Sequence, residues 1–462
     1  MEKHYDITVI GSGPGGYIAA IRSAQLGFKT AIIEKYKSYG GTCLNVGCIP
    51  SKYLLEGSKF YYKIINESNP YGIKSDNTFI DLSTMDYNKN KLIQKMSNGI
   101  NFLLKKHNID IYNGIGSFID DKTLKINKDT YSNTKIISKN TIIATGSKPR
   151  YIPSVNIDKK LIVTSAEALN IKQIYKDIVI IGGGAIGIEL ASIYARLGSK
   201  VTIIEYFDNI LPSIDNDISN IMQSILIKNL DIKFIFKCNI EKAVSKGNHV
   251  EIVICNDKNQ RIIINADYCI IAIGRSPYIK NLQIENINLK LDNNFIKVNK
   301  NYETNVKGIY AIGDVIGGNM LAHKSEMEGT LVAEIIHGNK PFFDYKNIPN
   351  IVYTWPEIAI IGISEKELKY QNHNYRKSIS LFAHNGKANA SNETNGQLKV
   401  LSDYQTDEIL GVQIIGPNAS DIISSAISAM TFSASSEDIK YMCFPHPTYS
   451  EIFRESCVNL NK

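Results

Sequence analysis

Residues 7–16 read Ile7-Thr8-Val9-Ile10-Gly11-Ser12-Gly13-Pro14-Gly15-Gly16, an apolar strand running straight into a glycine turn. An apolar helix follows to Leu26-Gly27, and a second strand, residues 30–33, ends on Glu34. Strand, G-x-G-x-x-G turn, helix, strand and acid together form the fingerprint of a dinucleotide-binding unit. Gly11, Gly13 and Gly16 let the backbone turn tightly and approach a pyrophosphate. The helix N-terminus stabilises the phosphate charge, and the acid accepts hydrogen bonds from a ribose.

The pattern returns 171 residues later. Residues 178–181 lead into Gly182-Gly183-Gly184-Ala185-Ile186-Gly187, the helix reaches Leu197-Gly198, and a strand at 201–204 ends on Glu205. Gly11 and Gly182, Gly27 and Gly198, and Glu34 and Glu205 share one offset. A single glycine turn is weak evidence, but two copies with matching acids specify two dinucleotide sites. Glu205 repels a 2′-phosphate and accepts from a free 2′-hydroxyl, so Gly182, Gly184, Gly187 and Glu205 suit NAD rather than NADP. Glu34 suits the adenosine ribose of FAD. Two further apolar strands, residues 141–146 and 269–274, end in glycine and are followed by Pro149 and Pro277. They read as return strands that close one unit and hand the chain to the next. A third, residues 308–314, ends on Asp314.

At 462 residues the chain exceeds one ordinary core, and two to four domains are expected. Its net charge of +7 is spread thinly, with no basic cluster to track a phosphate backbone, which speaks against nucleic acid. The most apolar stretch, residues 178–195, carries four glycines and Glu189 and reads as strand–turn–helix, not a membrane span. The N-terminus enters a strand at once, with no charged or apolar leader pattern, so a cytoplasmic protein is expected. Helices are expected at 49–65 and 83–107, the latter with Leu92, Met96, Ile100, Leu103 and Leu104 on a core-facing side. Another, at 418–433, carries Ile422, Ile423, Ala426, Ile427 and Met430 and suits packing on a partner subunit.

The chemistry concentrates in Gly40-Gly41-Thr42-Cys43-Leu44-Asn45-Val46-Gly47-Cys48-Ile49-Pro50-Ser51-Lys52. Seven cysteines is an odd count, and the other five follow no spacing, which points to a reducing compartment. There, a close pair is catalytic or metal-binding rather than structural. We read Cys43 and Cys48 as a reducible disulfide at the start of a helix whose N-terminus would favour thiolate at Cys43. The spacing alone also suits half of a metal site. Near the C-terminus, His446 stands between Pro445 and Pro447, with Glu451 five residues on. A carboxylate on one imidazole nitrogen raises the basicity of the other, which is what deprotonating a thiol requires.

With these pieces in hand, the chain resembles the flavin-dependent pyridine nucleotide–disulfide oxidoreductases over its whole length. The motifs carrying the resemblance are GSGPGG at 11–16, GGTCLNVGCIPSK at 40–52, GGGAIGIE at 182–189, AIGRSP at 272–277, YAIGDV at 310–315, MLAHKSEMEG at 320–329 and HPTYSE at 446–451. Within the family it looks most like the branch that oxidises protein-bound dihydrolipoamide to lipoamide and reduces NAD⁺, serving 2-oxo acid dehydrogenase or glycine cleavage complexes. The NADP-dependent glutathione branch typically has Ala at the third glycine, and mercuric reductases carry a C-terminal cysteine pair in place of this His–Glu dyad. The segment 382–388 departs from the family's usual arginine-containing version.

The resemblance implies a homodimer in which His446 and Glu451 serve the neighbouring subunit, Cys43 meets lipoamide and Cys48 lies beside the flavin. It implies FAD contacts at Gly11, Gly13, Gly16, Glu34, Lys35, Gly41, Thr42, Lys52, Gly116, Thr145, Gly146, Asp314 and Ala322. For NAD it implies Gly182, Gly184, Gly187, Glu189, Glu205, Ala272, Gly274 and Arg275, and it implies no metal. Lys52 and Glu189 would pair near the flavin ring. Partners would be a lipoyl domain and an acyltransferase core. The expected fold class is α/β: two Rossmann-like dinucleotide-binding domains and a C-terminal α+β dimerisation domain. The expected boundaries are 1–148 for FAD, completed by a central segment 276–346, then 149–275 for NAD and 347–462 for the dimerisation domain. Two other readings are a related reductase acting on a glutathione-like thiol or a metal ion, and a flavoprotein kept as a docking subunit.

Overall fold

The structure, a computed structural model, describes residues 3–127 and 133–460. Strand β1 (Lys3–Ile10) and strand β2 (Thr30–Glu34) pair in parallel across helix α1 (Pro14–Gln25). They build a sheet in the order Asp110–Asn113, β2, β1, Asn133–Ile143, Thr123–Asn127, Ile115–Phe118. Ile7 and Val9 pack with one apolar cluster and Tyr5 and Ile10 with another, so β1 is covered on both faces. That double burial is why a parallel strand reads as an unbroken apolar run.

The second unit repeats this plan. Its parallel sheet runs Lys233–Ile235, Lys200–Ile204, Asp177–Ile181, Tyr268–Ile271, Ile162–Thr164. A three-stranded antiparallel sheet (Cys238–Ser245, Val250–Asn256, Arg261–Ala266) packs Val250 and Ile252 against Val179 and Ile181. The expected return strands are present, and the segments beyond them meet. Ser147–Pro149 pairs antiparallel with Arg275–Pro277, so the two passages between units form one ribbon. The third such strand, Ile309–Ala311, pairs with Asn133–Ile143 in the first sheet, and helix Ala322–His337 packs on α1. The segment after residue 276 thus returns to the first unit.

The C-terminal block is a five-stranded antiparallel sheet in the order Asn350–Val352, Glu357–Gly362, Ile409–Gly416, Gln397–Asp403, Tyr375–Leu381. Helix Ala419–Thr431 lays Ile422, Ile423 and Ala426 on this sheet. Three of the five residues assigned to a partner subunit are therefore spent on the chain's own core, while Ile427 and Met430 stay half-buried at its edge. Another expectation fails in helix α4 (Leu82–Lys106). Leu104 is fully buried and Ile100 packs on the core, but Met96 and Leu103 are about 40% exposed. The covered face also takes Met85, Ser97 and the buried Lys89, whose ammonium reaches the Leu169 carbonyl at 2.6 Å. A polar group with a specific partner can replace an apolar one, and periodicity alone does not register it.

Candidate functional site

The two glycine turns are copies down to their hydrogen bonds. Ser12 N donates to Glu34 Oε2 at 2.9 Å and Tyr36 N to Oε1 at 2.9 Å. At the same offset, Gly183 N donates to Glu205 Oε2 at 2.5 Å and Phe207 N to Oε1 at 2.9 Å. Both acids are buried at the end of their strand, and both fix the turn they face. The third glycine closes each copy: a side chain on Gly16 or Gly187 would sit 2.0 Å from the carbonyl of Gly11 or Gly182. By contrast, a side chain on Gly13, Gly184, Gly146 or Gly274 would meet no protein atom within 4 Å.

Those open positions face one continuous cavity of about 1370 Å³, which both turns line. Cys43, Cys48 and Lys52 also border it, as do Lys35, Gly41, Thr42, Gly116, Glu189, Ala272, Arg275, Asp314 and Ala322. A dinucleotide needs a long apolar trough with backbone amides at its turns and few polar groups, and this cavity has that form. The buried Thr145 hydroxyl on its wall has no protein partner. A buried hydroxyl left unpaired is costly, so it fits a bound group that supplies the missing bond.

The cysteines sit on two helices. Cys43 lies within the short helix α2 (Gly41–Val46), and Cys48 is the first residue of α3 (Cys48–Asn66). Gly47 makes the break, since a side chain there would meet the Thr42 carbonyl at 2.9 Å. A helix does start around Cys43, as expected, but it ends at Val46, and Cys48 opens a second one. The two thiols hydrogen-bond each other, and this bond, with the Lys52 cation, lowers Cys48 to about 7 against the opposing effect of burial. The same bond pushes Cys43 up, with burial and the nearby Glu326 adding to it. Lys52 lies one turn along α3 and pairs with Glu189 at 2.9 Å. Glu189 also accepts from Tyr353 N at 3.0 Å, and the Lys52 ammonium lies 4.3 Å from the Tyr353 ring centre. Glu189 therefore bridges the second unit to α3.

At the ribbon between units, Arg275 donates to Ser147 Oγ at 2.7 Å and to the Ser147 carbonyl at 2.8 Å. Ser147 Oγ donates in turn to Asp314. Lys35 covers the Tyr278 ring at 3.9 Å. Ser147, Tyr353 and Glu326 were not singled out in the sequence. Ser147 follows the Gly146 turn and Glu326 lies inside the motif at 320–329, so both could have been flagged there, but Tyr353 carries no local signal.

His446 and Glu451 form a pair of their own. His446 Nδ1 lies 2.8 Å from Glu451 Oε1, and Glu451 Oε2 accepts from Thr448 N at 2.8 Å. Burial would raise the Glu451 carboxyl, but the Thr448 amide and His446 hold it below its ordinary value. Neither residue borders the cavity, and the His446 side chain is 76% exposed. Within one chain the dyad and the cysteines are apart.

Two adjoining dinucleotide-type turns with a cysteine pair on the wall between them define a class, and comparison with known proteins agrees with it. Residues 5–329 match the pyridine nucleotide-disulphide oxidoreductases and residues 348–457 match the dimerisation domain of that family. The chain belongs to this family, whose members use FAD and NAD(H), and its C-terminal block is the family's dimerising part. More particularly, it is 39% identical over 455 residues to the mitochondrial dihydrolipoyl dehydrogenase 2 of Arabidopsis thaliana, covering 98% of this chain and 90% of that protein. It is 40% identical over 461 residues to the dihydrolipoyl dehydrogenase of Trypanosoma brucei brucei, covering 98% and 96%. Among solved structures, the HOCl-induced flavoprotein disulfide reductase RclA from Escherichia coli superposes with a TM-score of 0.88 at 26% identity, over 98% of this chain and 99% of that one. Among the described residues, no helix is long and apolar enough to cross a membrane.

Proposed function

We propose that this chain oxidises dihydrolipoamide to lipoamide and reduces NAD⁺ to NADH. The observation that carries this is the single cavity in which the Cys43–Cys48 pair lies between two glycine turns, each backed by an acid. The naming of relatives about 40% identical over nearly the whole chain supports the choice of substrate.

FAD would lie along Gly11, Gly13, Gly16, Glu34 and Lys35, past Gly41, Thr42 and Lys52, with Gly116, Thr145, Gly146, Asp314 and Ala322 on its other sides. Thr145 would then find its missing bond. NAD would lie along Gly182, Gly184 and Gly187, with Glu205 at its ribose and Glu189, Ala272, Gly274 and Arg275 beside it. In domain terms, residues 1–148 with 276–346 hold FAD, 149–275 hold NAD, and 347–462 dimerise. When bound, FAD accepts the two electrons of the reduced cysteine pair and NAD⁺ carries them away as hydride.

The chain's own groups do the rest. In the oxidised protein Cys43 and Cys48 are joined. The partner subunit's His446, its basicity raised by Glu451, takes a proton from one substrate thiol. That thiolate attacks the Cys43 sulfur and releases Cys48 as thiolate, leaving a mixed disulfide. The imidazolium sheds that proton to solvent, and the regenerated imidazole takes the proton of the second substrate thiol. This thiolate attacks the substrate sulfur bound to Cys43, closing lipoamide and releasing Cys43, which receives the proton back from the imidazolium. Cys43 then keeps a proton and Cys48 keeps the charge, which is the distribution their mutual hydrogen bond and Lys52 favour. Lys52 stays beside the charged sulfur, and Glu189 keeps Lys52 in place.

The same reading gives a dimer that docks lipoyl domains and an acyltransferase core, in a reducing compartment such as the cytoplasm. Steady-state NAD⁺ reduction by free dihydrolipoamide tests it, run beside reduced glutathione as donor and NADP⁺ as acceptor. Turnover with dihydrolipoamide and NAD⁺ at least a hundredfold above the other pairings is expected. Equal or better turnover with glutathione or NADP⁺ overturns it.

A further inference from the structure

One carboxylate outside the cavity has more partners than its place in a loop requires. Glu393 follows the short helix Gly386–Ala390, outside the segment 382–388 that departs from the family's pattern, and its side chain is only 10% exposed. Its Oε1 accepts from Lys63 Nζ at 2.5 Å and from Trp355 Nε1 at 3.2 Å. Its Oε2 accepts from the Tyr449 hydroxyl at 3.1 Å. These three partners come from different parts of the chain. Lys63 lies in α3, Trp355 lies just before the strand Glu357–Gly362, and Tyr449 lies three residues beyond His446. Burial alone would raise the Glu393 carboxyl, but Lys63, with Lys59 and the Tyr449 hydroxyl, more than offsets it and holds the group below its ordinary value.

The loop bearing His446 has a second buried tether. Asn385, 1% exposed, donates to the Thr448 carbonyl at 3.0 Å, while the Thr448 amide is bound to Glu451. Thr448 and Tyr449 are thus held from both sides, while the His446 ring projects into solvent. Along α3, Lys63 lies fifteen residues from Cys48, or about 22 Å at 1.5 Å per residue. Glu393 therefore fastens the His446 loop to the far end of the helix that begins at Cys48.

We propose that Glu393 is a positioning residue for dihydrolipoamide oxidation, holding the His446 loop against α3 and so setting the reach of His446 towards the partner subunit's cysteines. This rests on the function proposed above. Proton transfer from a thiol tolerates little misplacement, and an error of about 1 Å can cost about a hundredfold. Glu393 acts through Tyr449 on the geometry of His446 and touches no reacting atom.

The test uses the flavin-loaded dimer with Glu393→Ala, Glu393→Gln and Tyr449→Phe. Two activities are compared: NAD⁺ reduction by dihydrolipoamide, and NADH-driven reduction of ferricyanide, which bypasses His446. Glu393→Ala is expected to lower kcat for dihydrolipoamide by about ten- to a hundredfold, with flavin content and ferricyanide reduction within twofold of the parent. Tyr449→Phe, losing one hydrogen bond, should lose about fivefold, and Glu393→Gln, which still accepts from Tyr449, should recover most of the loss. Dihydrolipoamide turnover within twofold in both Glu393→Ala and Tyr449→Phe overturns the proposal, as does a parallel fall of both activities with flavin content. A parent enzyme that does not oxidise dihydrolipoamide refutes the substrate reading instead. In that case, amide exchange at Thr448 decides: a tenfold rise in Glu393→Ala supports the tether, and an unchanged rate overturns it.

Discussion

The unequal protonation of the two cysteines is measurable. In the reduced protein, Cys48 is lowered to about 7 by its hydrogen bond from Cys43 and by the Lys52 cation, against about 8.5 for a free thiol. A thiol titrating near 7 is about one-tenth thiolate at pH 6 and almost wholly thiolate at pH 9. Its alkylation rate should therefore rise about tenfold over that range. A free thiol titrating at about 8.5 would rise by more than about two-hundredfold over the same range. Lower basicity also costs about fivefold in intrinsic nucleophilicity over 1.5 pH units, but that factor is constant with pH and cancels in the ratio. Burial slows both sulfurs and cancels in the same way.

The assay is anaerobic alkylation of the FAD-loaded, dithiol-reduced protein with iodoacetamide at pH 6 to 9, quantified on the Cys43 and Cys48 peptides by mass spectrometry. Cys48 should give the shallow profile. Cys43, pushed up by the same hydrogen bond and by burial, should label slowly and steeply. Lys52→Met removes the cation and leaves the buried Glu189 uncompensated, and both changes raise Cys48. Its profile should steepen towards that of an ordinary thiol. A steep Cys48 profile in the parent, or faster labelling of Cys43 at pH 6, would show that the charge rests on the wrong sulfur and refute the assigned roles.

Other perturbations follow from the same geometry. Gly187→Ala places a methyl 2.0 Å from the Gly182 carbonyl; the helix must move out, so KM for NAD⁺ should rise at least tenfold in steady-state assays while flavin binding is unchanged. Glu205→Gln leaves one of two amide donors, Gly183 N or Phe207 N, without a carboxylate oxygen; kcat/KM for NAD⁺ should fall about ten- to a hundredfold, and the preference over NADP⁺ should narrow. His446→Gln should keep its flavin, because His446 does not border the cavity, yet lose about 10²- to 10⁴-fold in dihydrolipoamide turnover. Lys399 is fully buried with Asp215 at 2.9 Å and Asp217 at 3.0 Å, tying the C-terminal sheet to the second unit. Lys399→Met should cost about 3–5 kcal/mol in urea unfolding by leaving the buried Asp215 carboxylate without its cation.

The features legible in the sequence are those encoded over short distances. A strand, a glycine turn and an acid lie within 30 residues, and local sterics fix their arrangement, so both units and their offset could be read directly. The matched hydrogen bonds at Glu34 and Glu205 follow from that local encoding. Features set by register between distant segments could not be read. Ile309–Ala311 joins the first sheet because its backbone pairs with Asn133–Ile143, across more than 160 residues. The side of α4 that meets the core includes Lys89, whose partner is a carbonyl 80 residues away. The break between Cys43 and Cys48 depends on Gly47 clearing Thr42, whereas the intervening residues read as one helix start.

The His446–Glu451 pair shows why a site can be found in sequence while its supports are not. An exposed ion pair contributes roughly 0–1 kcal/mol and would not by itself hold a loop in one place. The binding energy lies in buried groups remote in sequence: Asn385 on the Thr448 carbonyl, and Glu393 linking Tyr449 to Lys63. Such groups are spent where a conformation has to be kept, because each buried polar contact is costly if left unmade. A ring 76% exposed in one chain, on a loop held by two buried tethers, is organised to act on something outside that chain. The dimerising block that carries it makes a second copy the fitting recipient. Under the function proposed above, the reactive pair and its base are written into one sequence and would become one site only across two chains.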